Sequence, residues 1–187
     1  NTAVGLQALV ANTEGFSNTA CGKSALATNI TGDYNVAMGH NALHFNVGDN
    51  NTSLGYKALF TNTTGAENVA VGALSLDANT TGGQNNAFGF ESLTANTTAS
   101  NNTGFGHRTL AANTTGAENV AVGKGALDAN TTADENTAVG SNSLTANTTG
   151  INNTGLGYGA LSANTTANYN TSVGSHSLQD NTTGASN

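Results

Sequence analysis

The feature that most constrains the fold is an unbroken tandem repeat. Ten copies are 17 residues long, and the third copy, residues 35–50, has 16. The consensus reads N-T-A-V-G-x-x-A-L-x-A-N-T-T-G-x-x, in which we number positions 1 to 17 and call the eleven copies coils 1 to 11. A fixed short period is typical of solenoids, in which each copy contacts only its neighbours. The copies begin at Asn1, Asn18, Asn35, Asn51, Asn68, Asn85, Asn102, Asn119, Asn136, Asn153 and Asn170.

The consensus favours short extended pieces separated by turns. Position 2 is Thr or Val in ten of eleven copies, which suits a strand over positions 2 to 4. The Gly that always follows predicts a corner, a second short extended piece carries the Leu at position 9, and N-T-T-G predicts a turn. Repeated Gly and poor helix formers argue against a helix. We therefore predict an all-β fold, a parallel β-solenoid or β-roll with one repeat per coil. Residues 1–187 would form a single array, about 50 Å long at ~4.8 Å per coil.

Two apolar positions predict the core. Position 4 is always apolar and position 9 is always Leu, so we expect both to stack as buried ladders. Cys21, the only cysteine, occupies position 4 and is predicted to be a small buried hydrophobe. Asn at positions 1 and 12 of every copy predicts hydrogen-bonded Asn ladders. The ladder residues include Val4, Leu9, Val71, Leu76, Leu93, Val122, Leu127, Val139, Leu144, Leu161, Val173 and Leu178.

Coil 3 lacks one residue after Asn46, and we expect its turn to absorb the deficit without breaking either ladder. Met38 and Leu43 still match positions 4 and 9 of the consensus.

Composition excludes several classes of function. The net charge of −7 and the presence of only four Lys and Arg argue against nucleic acid binding. No run of 18 or more apolar residues is present, which argues against membrane insertion. The histidines lie at variable positions without ligand spacing, and the acids at positions 10 and 17 would form sparse solvated columns. We therefore predict no enzyme activity, no cofactor and no metal site. The histidines are His40, His44, His107 and His176.

The motifs N-T-A-V-G-x-x-A-L and N-T-T-G-x-x-N-T-A-V-G resemble repeats of bacterial and phage tail-fibre-like surface proteins. The N-x-A-V-G core is also similar to the head repeat of YadA-like trimeric autotransporter adhesins. This resemblance implies an extracellular or cell- or virion-surface location, and identical chains as partners, end to end or as a trimer. Because the chain starts and stops at repeat boundaries without capping sequences, we expect it to be a piece of a longer fibre.

We therefore predict a structural, non-catalytic part of an extracellular fibre, filament or adhesin shaft. The alternative is a surface-binding module, for ice or glycans, that uses one regular face. The adjacent Thr63 and Thr64 argue against ice binding, because neighbouring residues of an extended segment point to opposite sides.

The N-x-S/T sequon recurs along the chain and predicts covalent glycans if the source cell glycosylates Asn. The alternative is that an inward Asn ladder beside Thr creates sequons by accident. The candidates at position 12 are Asn29, Asn62, Asn79, Asn96, Asn113, Asn130, Asn147, Asn164 and Asn181.

A longer period of 51 residues, or three coils, overlies the short one. The letters NTTGAENVAVG occur at residues 62–72 and again at 113–123. Two interpretations remain open, namely duplication of a three-coil block and a functional periodicity for helical pitch or partner binding.

Overall fold

The computed structural model describes all 187 residues as one stack of coils, and it confirms the predicted all-β parallel solenoid. Each coil contributes one three-residue strand to a single eleven-stranded sheet, in which the strands follow one another in chain order. No helix with the length and apolarity needed to cross a membrane is present. The strands are β1 Thr2–Val4, β2 Thr19–Cys21, β3 Val36–Met38, β4 Thr52–Leu54, β5 Val69–Val71, β6 Asn86–Phe88, β7 Thr103–Phe105, β8 Val120–Val122, β9 Thr137–Val139, β10 Thr154–Leu156 and β11 Thr171–Val173.

Equivalent repeat positions lie directly beside each other throughout the sheet. Thr2 pairs with Thr19, and the same register continues to the last strand. The short coil 3 does not disturb it, since Val36 pairs with Thr52. Leu43 is fully buried, and the Asn46 Oδ1 accepts a hydrogen bond from Asn62 Nδ2 (2.6 Å). The missing residue is therefore absorbed in the turn after Asn46, as predicted.

Hydrogen bonds join neighbouring coils around their perimeter and not only along the strands. Of 119 backbone hydrogen bonds, only 20 lie within the strands. In the turns, the Leu59 N–H donates to the Ser75 carbonyl (3.0 Å), and the Thr63 N–H donates to the Thr80 carbonyl (2.9 Å). Because several sides of each coil are tied to the next, bending one coil away from another breaks hydrogen bonds at more than one place.

The position-9 leucines form the predicted buried ladder. Leu26, Leu76 and their equivalents through Leu161 are fully buried, and Leu9 of the first coil is nearly so. Leu178 is partly exposed because coil 11 has a neighbour on one side only. Around this ladder lie small residues from positions 3 and 8, mostly Ala and Ser. The core of each coil is thus one Leu packed among small side chains.

The backbone of these leucines is not the extended piece that the sequence predicted. Every position-9 Leu has a positive φ, between 47° and 54°, in the left-handed region. This conformation costs a non-Gly residue about 1–2 kcal/mol. It persists because it turns the chain while aiming the side chain into the core, where burial offsets the cost.

The corner after each strand requires glycine. Gly72 has a φ of +133°, and a Cβ built on it would lie 2.5 Å from the carbonyl oxygen of Gly89 in the next coil. Both the backbone conformation and the close approach of adjacent coils therefore exclude a side chain at position 5.

We expect Leu76→Ala to destabilise the fold by about 2–5 kcal/mol, because it leaves a cavity in a fully buried site. Leu74→Ala is the matched control, since Leu74 lies in the same coil with the same left-handed backbone but is only half-buried. It should cost less than about 1 kcal/mol. Urea denaturation followed by circular dichroism checks both variants, and equal losses would contradict the inward placement of position 9.

Candidate functional site on the outer strand face

Side chains alternate across each strand, so positions 2 and 4 point outward and position 3 points inward. Ala70 and Ala87 at position 3 are fully buried, whereas Val4 and Phe105 at position 4 are 59% and 57% exposed. We call the outward surface formed by positions 2 and 4 of all coils the strand face.

The prediction of a buried position-4 ladder is therefore wrong. These residues do stack in one column, but the column lies outside the core. The interior beside each strand is filled by small position-3 residues and the Leu of position 9, and alternation then leaves position 4 no inward direction. The same correction applies to Cys21, which is exposed. The position-4 ladder residues that face outward are Val4, Val71, Val122, Val139 and Val173.

A column of Thr accompanies the apolar column on the strand face, and sequence reasoning missed it. Its signal was the alternation of Thr with an apolar residue in T-x-V, which places both on one side of a strand. Large residues interrupt the flatness of the face, among them Met38 and the stacked rings of Phe88 and Phe105, whose centroids are 5.4 Å apart. The outward Thr residues are Thr2, Thr19, Thr52, Thr103, Thr137, Thr154 and Thr171.

The strand face itself is uncharged, while charges of opposite sign collect along its two margins. Positions 6 and 7, just after the corner, form a basic margin, and positions 16 and 17, just before the strand, form an acidic margin. All four Lys and Arg of the chain lie on the basic margin, as Lys23, Lys57, Arg108 and Lys124. The acidic margin carries Asp33, Asp49, Glu67, Glu118, Asp134 and Glu135.

The Asn ladders lie inside the coils and close them. Asn79 at position 12 donates from Nδ2 to Asn62 Oδ1 of the preceding coil (2.7 Å) and to the Gly82 carbonyl of its own coil (2.9 Å). Asn68 at position 1 donates to the same carbonyl (2.8 Å), while its Oδ1 accepts from the Asn85 N–H (3.0 Å). The predicted ladders are thus present at both positions.

This placement corrects the glycosylation prediction at position 12. A glycan on Nδ2 would replace a hydrogen that is already donated and would need space that the core does not contain. Only Asn181, in coil 11, is partly exposed, and its Nδ2 still donates to the Gly184 carbonyl (2.8 Å). Fully buried members are Asn29, Asn62, Asn79, Asn96, Asn113, Asn130, Asn147 and Asn164. Exposed or half-exposed sequons lie instead at position 17, on Asn50, Asn101 and Asn152, which recur every three coils.

The histidines lie on the surface and do not converge. His40, His107 and His176 are exposed on the basic margin, and His44 packs beside Phe45 and Phe60. No group of three or more His, Cys, Asp or Glu side chains is placed to hold a metal ion.

Two further surface features were examined for chemistry by their surroundings. Burial raises the pKa of the Asp77 carboxyl above its ordinary value, and a hydrogen bond from the Thr94 hydroxyl (2.7 Å) opposes this rise. A shallow depression of about 370 Å³ lies over the turns of coils 4 to 6 and is lined by polar residues such as Glu67 and Gln84. Neither feature brings together a nucleophile and a base.

Comparisons with protein-family models, with curated proteins and with solved structures gave no match. The chain is therefore described by its own geometry, as a repeat protein with a uniform interior, an uncharged strand face and two charged margins.

We expect Asn79→Asp to destabilise the fold, and more strongly at pH 7 than at pH 3. An ionised carboxylate cannot donate to Asn62 Oδ1 or to the Gly82 carbonyl, and it would be fully buried. The folded state thus opposes ionisation, so the penalty is absent below the unfolded pKa of about 3.9 and grows as the pH rises above it.

Thr81→Asp, in the exposed part of the same turn, is the control and should show little destabilisation at either pH. Thermal melts of both variants at the two pH values give the measurement. An Asn79→Asp variant as stable as wild type at pH 7 would contradict an inward, donating role for position 12.

Proposed function

We propose that this chain is a rigid, non-catalytic segment of an extracellular fibre, filament or adhesin shaft on a cell or virion surface. The observation that carries the proposal is the uniform stacking of eleven coils in one register, bonded around their perimeter. A rod of this construction holds two points about 50 Å apart at ~4.8 Å per coil and offers few unpaired backbone groups to a protease.

The distribution of variable residues also favours a shaft. Inward positions are nearly invariant, while the outward positions 6, 7, 10, 16 and 17 differ from coil to coil. A module that binds one regular ligand would present identical side chains outward in successive coils. Resemblance to tail-fibre-like and YadA-like repeats supports the same function and the same surface location.

The second candidate is a surface-binding module, and the Thr column on the strand face favours it. Regular outward Thr residues could order water or contact a glycan. The bulk of Met38, Phe88 and Phe105 in the adjacent column breaks the flat surface that ice would require. An ice-affinity assay separates the two candidates, and partition of the protein into growing ice would favour the second.

Immunoelectron microscopy of intact source cells or particles tests the location. Antibody raised against this chain should label projecting filaments in the full-length protein. Label confined to the cell interior would overturn the proposal.

We expect deletion of residues 68–118, three complete coils, to shorten the rod by about 14 Å while leaving it folded. The deletion joins Glu67 to Asn119 and so preserves the native junction letters GAENVAVG. Small-angle scattering measures the length, and circular dichroism reports the fold. Loss of structure would contradict a rod whose stability is shared among equivalent coils.

A further inference from the structure

We propose that the strand face is the interface between identical chains, which pack side by side, parallel and in axial register. The inference deepens the assembly of the shaft proposed above and names its surface and orientation. It starts from the exposed apolar column, which runs the full length of the rod without a charged residue. Large exposed members include Val4, Met38, Leu54, Phe105 and Val173.

The size of the strand face matches an interface between two chains. Eleven strands at ~4.8 Å spacing and three residues at ~3.3 Å give a strip of about 500 Å² per chain, or about 1,000 Å² for a pair. Specific interfaces begin at about that total area, and contact along the margins adds to it.

The charges of the two margins occur in the same coils. Coils 2, 3, 4, 7 and 8 carry an acid on the acidic margin, and these five coils also carry every Lys and Arg of the basic margin. The remaining coils have no charged acidic margin. By coil, the pairs are Lys23 with Asp33, His40 with Asp49, Lys57 with Glu67, His107 and Arg108 with Glu118, and Lys124 with Asp134 and Glu135.

Comparison of coils 51 residues apart shows that both margins change together. Coil 5 has Ala73 on one margin and Gly83-Gln84 on the other, whereas coil 8 has Lys124 and Asp134-Glu135. Coil 6 has Phe90 and Ser100 where coil 3 has His40 and Asp49. Duplication of a three-coil block alone would preserve these residues, so the joint change indicates that the two margins interact.

The interaction does not occur within one chain. The ion pairs of the structure join Arg108 to Glu91 (3.1 Å) and to Asp128 (3.5 Å), and none connects the two margins. The strand face separates the margins, so a cation on one can reach an anion on the other only across a contact with a second chain.

Symmetry then determines the orientation. When two chains face each other with their rod axes parallel, rotation about that axis brings the acidic margin of one chain against the basic margin of the other. At zero axial shift, each charged coil meets its own equivalent, so Lys124 meets Glu135 of the second copy. An antiparallel pair would place like margins together, which is repulsive. A threefold parallel arrangement satisfies the same condition as a twofold one.

Sedimentation equilibrium tests the surface. The wild-type chain should form a dimer or trimer, and Leu54→Glu/Phe105→Glu should be monomeric with an unchanged circular dichroism spectrum. Thr64→Glu/Thr115→Glu is the matched control, because it adds the same charges to exposed turn positions of the same two coils. That control should still associate. A monomeric wild type, or association that survives in the strand-face variant, would overturn the proposal.

Cys21 tests the orientation, since it is exposed on the strand face of coil 2. In a parallel pair, the two Cys21 thiols lie at the same level, and a short bis-maleimide should link wild-type chains. In an antiparallel pair, Cys21 would lie opposite coil 10, eight coils or about 38 Å from the other thiol. Chains with Cys21→Ser/Thr64→Cys report random collision. No excess of linked wild type over this control would refute the parallel arrangement.

Charge reversal tests the margins. Lys23→Glu/Lys57→Glu/Lys124→Glu should weaken self-association on the order of tenfold, because acidic margins then face each other. Mixing this chain with Glu67→Lys/Glu118→Lys/Glu135→Lys should restore association between the two different chains. Unchanged association in either single variant would count against the pairing of the margins. A rod that proved monomeric would leave the shaft proposal standing, whereas interior labelling of cells would remove the shaft and leave this interface untouched.

Discussion

The constraint on which the structure depends is that every inward side chain must fit directly above a copy of itself. An amide meets this requirement because it carries both a donor and an acceptor, so Asn79 can donate to Asn62 while Asn62 serves the coil before it. A buried carboxylate or ammonium group would repel its own image in the next coil. The same condition explains the choice of Leu, one large side chain per coil that packs on identical neighbours without a gap.

Much of the fold follows from this constraint and could be predicted from the sequence. The period indicated one coil per repeat, and the invariance of Leu and Asn identified the core ladders. Coil 3 was also predictable, because Leu43 and Asn46 keep their spacing and the deficit can lie only in the following turn. Backbone detail was not predictable in this way. Left-handed leucines are uncommon, and no propensity scale favours them without knowledge of the packing that stabilises them.

Position 4 was misread because apolarity was taken as evidence of burial. The informative property was variation in volume, since position 4 ranges from Cys21 to Phe88, and no fixed interior site accepts both. Position 3, limited to Ala, Ser and Gly, had the narrow size range of an inward site. The glycosylation candidates failed for a related reason, because a sequon is defined by letters and its Asn can still be needed inside.

The two margins show how such a protein can acquire specificity without altering its fold. Inward positions are fixed by self-stacking, so sequence change is confined to outward positions, and the strand face cannot carry a charge column without self-repulsion along the rod. Charges spaced on separate coils at the margins avoid that repulsion and still encode position along the axis. Uncharged coils 5 and 6 between charged coils 4 and 7 break the uniformity of the rod. A sliding partner would then lose matched charges at most axial shifts, which a strictly identical repeat could not achieve. Departures from the consensus at the margins thus supply the register information that perfect repetition lacks.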